Sequence, residues 1–171
     1  MESPKHLKEI FRPTGRDDTE GDIVCSCGCK TFGMRYYGDE YNGFISLHKV
    51  AKLRYGLVIK AVCTECKKEW LLFDYGKHAY NGFICGEGEG VVIDDSEFAD
   101  FIAADGEGEF EVKIGFEVDD EEQFREEVVE YPPEGMSFTM DDRPNIWSWV
   151  VIDLISAKTG EKIQFVDEEL A

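Results

Sequence analysis

The sequence predicts an α+β protein in which a small antiparallel, cysteine-bearing segment precedes an acidic α+β domain with an antiparallel sheet of its own. Three observations lead there. Two cysteine clusters, "CSCGCK" at 25–30 and "CTEC" at 63–66, alternate with runs rich in aromatic and β-branched residues. The stretch "EFEVKIGFEV" at 109–118 alternates with period two, placing Phe110, Val112, Ile114, Phe116 and Val118 on one face of a half-buried strand. Charge is divided just as sharply: residues 1–86 hold 13 Lys and Arg against 11 acids, whereas 87–171 hold 5 against 26, out of a net charge of -19.

Residues 1–22 read as a short helix and a connector. Ser3 suits an N-cap and Pro4 the first helical position, Leu7, Ile10 and Phe11 recur at helical spacing, and Pro13 ends the run. "TGRDDTEGD" is polar and carries glycine, as a connector does. Residues 23–86 form the cysteine-bearing domain, with strands expected in "TFGMRYYG", "KLRYGLVIKAVC" and "EWLLFDYG". Tyr-Asn-Gly-Phe-Ile occurs at 41–45 and again at 80–84, and each Asn-Gly predicts a tight turn. The glycine-rich "CGEGEGVV" at 85–92 predicts a boundary, and 91–171 form the acidic domain.

Within 91–171, "DDSEFADFIAAD" predicts a helix capped by Asp95 or Ser96 with Phe98, Phe101 and Ile102 on one face. "DDEEQFREEVVEY" predicts an acid-capped helix ending before Pro132-Pro133. "NIWSWVVIDLIS" predicts a central strand in which Trp147 and Trp149 pack, and "AKTGEK" turns it into "IQFVDEE" around Thr159-Gly160. Phe98, Phe101, Phe110, Phe116, Val150 and Phe165 would give this domain a core of its own.

Four thiolates can enclose one zinc ion when two tight turns present them, and two turns at strand junctions of a small antiparallel sheet supply that arrangement. The segment 23–76 resembles a zinc ribbon: turn "CSCG", strand, strand, turn "CTEC", strand. That family's first turn reads Cys-x-x-Cys-Gly, and "CGCKTF" at 27–32 matches its tail if Cys27 is the second ligand. The resemblance then implies Cys25, Cys27, Cys63 and Cys66 as ligands of one structural Zn2+ per chain, with one spacer residue between Cys25 and Cys27 where the family has two. Cys29 paired with Cys25 or with Cys27 stays open as an alternative. Four protein thiolates fill a tetrahedral shell, so the implied zinc has no open position for a catalytic water.

No stretch is long and apolar enough to span a bilayer, and "MESPKHLKEI" has neither the basic start nor the apolar centre of a signal peptide, so the expected compartment is the cytosol. Thiols there stay reduced, which favours metal ligation over disulfides. No residue is assigned a catalytic or cofactor-binding role beyond the metal. Cys85 near His78 and Asp74 lacks a nucleophile signature, and His48 is superfluous beside four cysteines. The expected function is a non-catalytic zinc-binding interaction protein whose acidic half engages a basic protein partner. Two alternatives stand beside it. One is a nucleic-acid-binding ribbon using Lys49, Lys52, Arg54, Lys60, Lys67 and Lys68, disfavoured by the acid excess. The other is an acidic inhibitor or immunity-type protein.

Overall fold

The computed structural model describes residues 4–15, 18–46, 48–50, 54–79, 93–132, 135 and 137–170, without the side chains of 48–50 and 54–55. The chain starts with a single 3-10 turn, Lys5–Leu7, and continues through strands β1 (Phe11–Pro13), β2 (Glu20–Ile23), β3 (Phe32–Tyr37), β4 (Asp39–Tyr41), β5 (Phe44–Ser46), β6 (His48–Val50), β7 (Arg54–Gly56), β8 (Val58–Cys63) and β9 (Glu69–Asp74). A four-residue helix α1 (Tyr75–His78) ends this part. Beyond the undescribed 80–92 come a 3-10 turn (Asp95–Glu97), β10 (Ala99–Asp100), β11 (Phe110–Glu117), α2 (Glu121–Phe124), a 3-10 segment (Met140–Asn145), β12 (Trp149–Ser156) and β13 (Lys162–Glu169).

The α+β expectation is corrected by this architecture. Strand accounts for 43% of the described residues and helix for 18%, the latter mostly as single turns, and the strands build a curled antiparallel sheet in the form of a half-barrel. Nine strands belong to that sheet, while β4-β5 and β6-β7 form two small hairpins. Strand β11 pairs with β12 along its whole length on one edge. Its other edge is shared by β2, through Lys113, Ile114 and Gly115, and by β3, through Phe110. Beyond them lie β1 beside β2, and β8 then β9 beside β3.

Two expected helices give way to strands for the same reason: apolar side chains gain more by reaching the shared core than by lining one helical face. Leu7, Ile10 and Phe11 are all buried, but Phe11–Pro13 pairs with Gly21–Ile23 as strand, so only one turn of the expected N-terminal helix forms. The polar connector contributes β2 in turn. Gly21 permits this, because a Cβ there would lie 2.6 Å from the Arg12 carbonyl oxygen and 2.7 Å from the Phe11 ring. In the expected helix after the boundary, Asp94 and Glu97 make a reciprocal capping box around one 3-10 turn. Ala99 and Asp100 then pair with Tyr36 and Arg35, delivering Phe101 to the core.

Other expectations are met. Strand β11 shows the alternation of buried and open residues, and Asp120 caps α2 by accepting the Gln123 amide, the helix running on through a π turn, Arg125–Val129. Strand β12 is central, between β11 and β13, and Gly160 turns the hairpin. Asn42 and Gly43 form the first tight turn with positive φ, while the second Asn-Gly and the boundary at 85–92 lie outside the described residues.

A ribbon over 23–86 and an acidic domain over 91–171 do not have separate cores among the described residues. One main cluster joins Phe32, Met34, Ile59 and Phe73 of the first segment to Phe110, Ile114, Trp147 and Phe165 of the second. Trp147 stacks on Phe116 at 4.7 Å and on Phe73 at 5.7 Å, so aromatic packing crosses the expected boundary. Phe98 is the exception to the expected core: it lies half-buried under the cations of Lys60, 4.2 Å from its ring centre, and Arg35, at 5.5 Å. A smaller cluster gathers Phe124 and Val128.

Candidate metal centre

Strand β2 ends at Ile23 and the chain turns tightly through 25–29. The Cys25 amide donates to the Cys29 carbonyl at 2.9 Å and the Gly28 amide to the Cys25 carbonyl at 2.8 Å. Gly28 takes φ +91°, the left-handed conformation that suits glycine. The second turn is built likewise: β8 ends at Cys63, whose amide donates to the Lys68 carbonyl at 3.0 Å while the Lys67 amide returns to the Cys63 carbonyl at 3.1 Å. Because β3 and β8 pair with Phe32 opposite Cys63, the two turns meet at one end of the sheet.

The four expected sulfurs converge there. The Sγ atoms of Cys25, Cys27, Cys63 and Cys66 all lie within 4.8 Å of one another, with Cys25 to Cys66 at 3.5 Å and Cys27 to Cys63 at 3.6 Å. A tetrahedron with zinc–sulfur bonds of about 2.3 Å has edges of about 3.8 Å. The thiols therefore need only small adjustments to enclose such an ion. Cys25 and Cys63 form the buried side of the group, Cys27 and Cys66 the exposed side.

Donors surround these sulfurs. Trp70 Nε1–H donates to Cys25 Sγ at 3.4 Å. Backbone amides reach sulfur too: Cys27 to Cys25, Cys29 to Cys27, Cys66 and Glu65 to Cys63, and Lys68 to Cys66. Burial pushes the Cys25 thiol upward, but hydrogen bonds from the Cys27 amide, the Trp70 indole and neighbouring thiols outweigh it and bring the group down to about 6. These donors favour the Cys25 thiolate, whereas the Cys27, Cys63 and Cys66 thiols are pushed upward, Cys63 chiefly by burial. The donors also fix where each sulfur points.

Cys29 stands apart from this group. Its Sγ lies 3.4 Å from both Thr31 Oγ1 and Thr64 Oγ1, which are themselves hydrogen-bonded at 2.7 Å. The single-residue spacer between Cys25 and Cys27 is accommodated by the Gly28 turn, which leaves Cys29 tying the two turns together through threonines.

The cationic surface is partly neutralised within the fold. Lys60 Nζ lies 2.9 Å from Glu69 and Arg35 2.7 Å from the same carboxylate, with Asp95 close to both. Lys68 sits over the Trp70 ring at 3.7 Å, and Lys67 donates to the Thr64 carbonyl. The side chains of Lys49, Lys52, Arg54 and His48 lie outside the described residues, as does Cys85. The Asp74 carboxylate accepts the Gly76 amide, so it caps α1, and it is the Asp74 backbone N–H that donates to His78 Nδ1 at 3.0 Å.

That bond belongs to a cluster for which sequence spacing offers no signal. His6 and His78 stack with ring centres 3.9 Å apart, and both border Trp147. Burial, reinforced by His6 and Lys77, pushes the His78 imidazole down to about 3, and burial lowers His6 as well. The folded chain therefore refuses protons that the unfolded chain accepts. The stability gained from neutral His78 is complete above its ordinary value of 6.5 and is lost as pH falls from there toward about 3. His78 alone contributes a slope of about 1.4 kcal/mol per pH unit in this window, and His6 adds to it. Urea midpoints of the metal-loaded protein at several pH values should show the combined slope, and His78→Gln should reduce it. An unchanged slope in that variant would assign the acid sensitivity to other groups.

No family model, no curated protein and no solved structure matches this chain. Among the described residues, no helix is long and apolar enough to cross a membrane.

Proposed function

We propose that the protein is a non-catalytic zinc-binding interaction protein in which one structural Zn2+, held by Cys25, Cys27, Cys63 and Cys66, ties two turns together at the end of the sheet. The convergence of those four sulfurs carries the reading. Arrival from two turns, backbone amides on each sulfur and full occupation of a tetrahedral shell match the structural use of zinc. When bound, the ion supplies a cross-link between strands. The chain's own residues do the rest: Trp70 and the turn amides orient the thiolates, and β3, β8 and β9 transmit the constraint to the core.

The partner in this proposal is a basic protein surface. The net charge of -19 attracts cationic partners at long range and repels polyanions. The engagement of Lys60 and Arg35 by Glu69 and Asp95 supports the same choice over nucleic acid.

Elemental analysis of the purified full-length protein tests the metal: close to one equivalent of zinc per chain is expected, and Cys63→Ser should release it. Wild type that is folded and metal-free would refute the assignment. Cys29→Ser should keep its zinc, because that sulfur is held by threonines outside the group of four.

A further inference from the structure

A groove of about 540 Å3 opens where the β4-β5 turn, the loop after β10 and the β12-β13 hairpin meet. Its apolar floor is Phe101, Ile102 and Ile163, and its rim carries the carboxylates of Glu40, Asp105 and Glu161. Phe101 is fixed from below by Phe165 at 4.7 Å and Phe110 at 5.6 Å, whereas Ile102 is 59% exposed. An isoleucine so open beside a firm apolar floor leaves surface for a partner to cover.

The rim is held in place by hydrogen bonds to the backbone. Glu40 Oε1 accepts the Gly43 amide at 2.7 Å and Asp105 Oδ1 the Glu107 amide at 2.9 Å. The Glu161 amide donates to Thr159 Oγ1 at 3.2 Å. Among the described residues, no Lys or Arg lines the groove and none of the ion pairs uses these three carboxylates.

We propose that this groove docks an arginine-bearing, aliphatic segment of a basic partner protein, the arginine stem lying on Phe101, Ile102 and Ile163 and its guanidinium among Glu40, Asp105 and Glu161. Charge complementarity chooses the occupant: three carboxylates around an apolar floor, with no ion-pair partner among the described residues, suit a side chain that is apolar along its stem and cationic at its tip. An acidic peptide would meet repulsion, and a purely aliphatic one would leave the rim unpaired. The inference deepens the basic-partner reading above and rests on it.

The test is an amide-resonance titration of full-length, metal-loaded protein with a short peptide alternating Arg and Leu. Three further probes accompany it: the same peptide with citrulline for Arg, a peptide alternating Arg and Ser, and polylysine. Shifts should centre on Gly43, Ala103, Asp105 and Glu161, with the citrulline peptide silent. Glu40→Gln combined with Glu161→Gln should weaken the Arg-Leu peptide roughly fivefold to tenfold, as expected for two exposed charges. The Gln amide oxygen still accepts the Gly43 amide, so the turn is preserved. Ile102→Ser, at an exposed position, should weaken the Arg-Leu peptide and leave the Arg-Ser peptide unchanged. Shifts centred instead on the acids of 117–130, or affinity indifferent to all of these substitutions, would overturn the groove while leaving the basic-partner reading intact. Absence of binding by any cationic probe would overturn both.

Discussion

Stripping the proposed zinc from the protein is expected to unfold far more than the two cysteine turns. In small metal modules the binding free energy is largely folding free energy, on the order of 10 kcal/mol, which is comparable with the entire stability of an ordinary domain. Here the turns sit at the ends of strands that carry the core. Strand β3 begins at Phe32, β8 ends at Cys63 and β9 begins at Glu69, and Phe32, Ile59, Ala61 and Phe73 are fully buried. Thermal melts with and without a strong chelator, and of Cys63→Ser, should show a large loss of the cooperative transition. Amide resonances of 110–117 and 149–156 should lose dispersion together with those of 32–37. If only the signals near Trp70 respond, the metal's influence is local.

A fragment comprising residues 90–171 should fail to fold on its own. Strand β11 would lose its partners β2 and β3, exposing backbone donors and acceptors along one edge. Trp147 and Phe116 would lose Phe73 and Phe11, and Phe101 and Phe165 would lose Tyr36. Each large apolar side chain so exposed costs roughly 1.5–3 kcal/mol, and several together exceed what a domain of this size holds in reserve. Circular dichroism should show no cooperative melt for the fragment. Adding residues 1–89 in trans with zinc should restore one. A fragment that melts cooperatively alone would show that 91–171 is an independent domain after all.

Both expectations follow from features that local sequence reading treats differently. The cysteine turns were legible because their chemistry is local: short spacing, a glycine able to take positive φ, and strand-forming residues on either side. Strands β11 and β12 were legible because alternation or a long apolar run marks a strand whatever its neighbours. The N-terminal segment and "DDSEFADFI" misled because three apolar residues at helical spacing cover less than two turns, too few to hold a helix against pairing partners elsewhere in the chain. Phe11 had Ile23 available, and Ala99 had Tyr36. The groove left no local signature, since Glu40, Asp105 and Glu161 come together only through three loops.

The sequence by itself determined that two cysteine turns could present four sulfurs to one tetrahedral site, where most turns fall and how charge divides along the chain, because these properties depend on residue type and short spacing. Only the tertiary structure decided that β11 inserts beside β2 and β3, that Trp147 bridges both halves of the core, that Cys29 is held by threonines and that Lys60 and Arg35 are already paired. The physical reason is the range of the interactions. Turn geometry and thiol proximity are settled within a few residues, whereas strand pairing and aromatic packing are settled by the total apolar surface that the chain can bury at once.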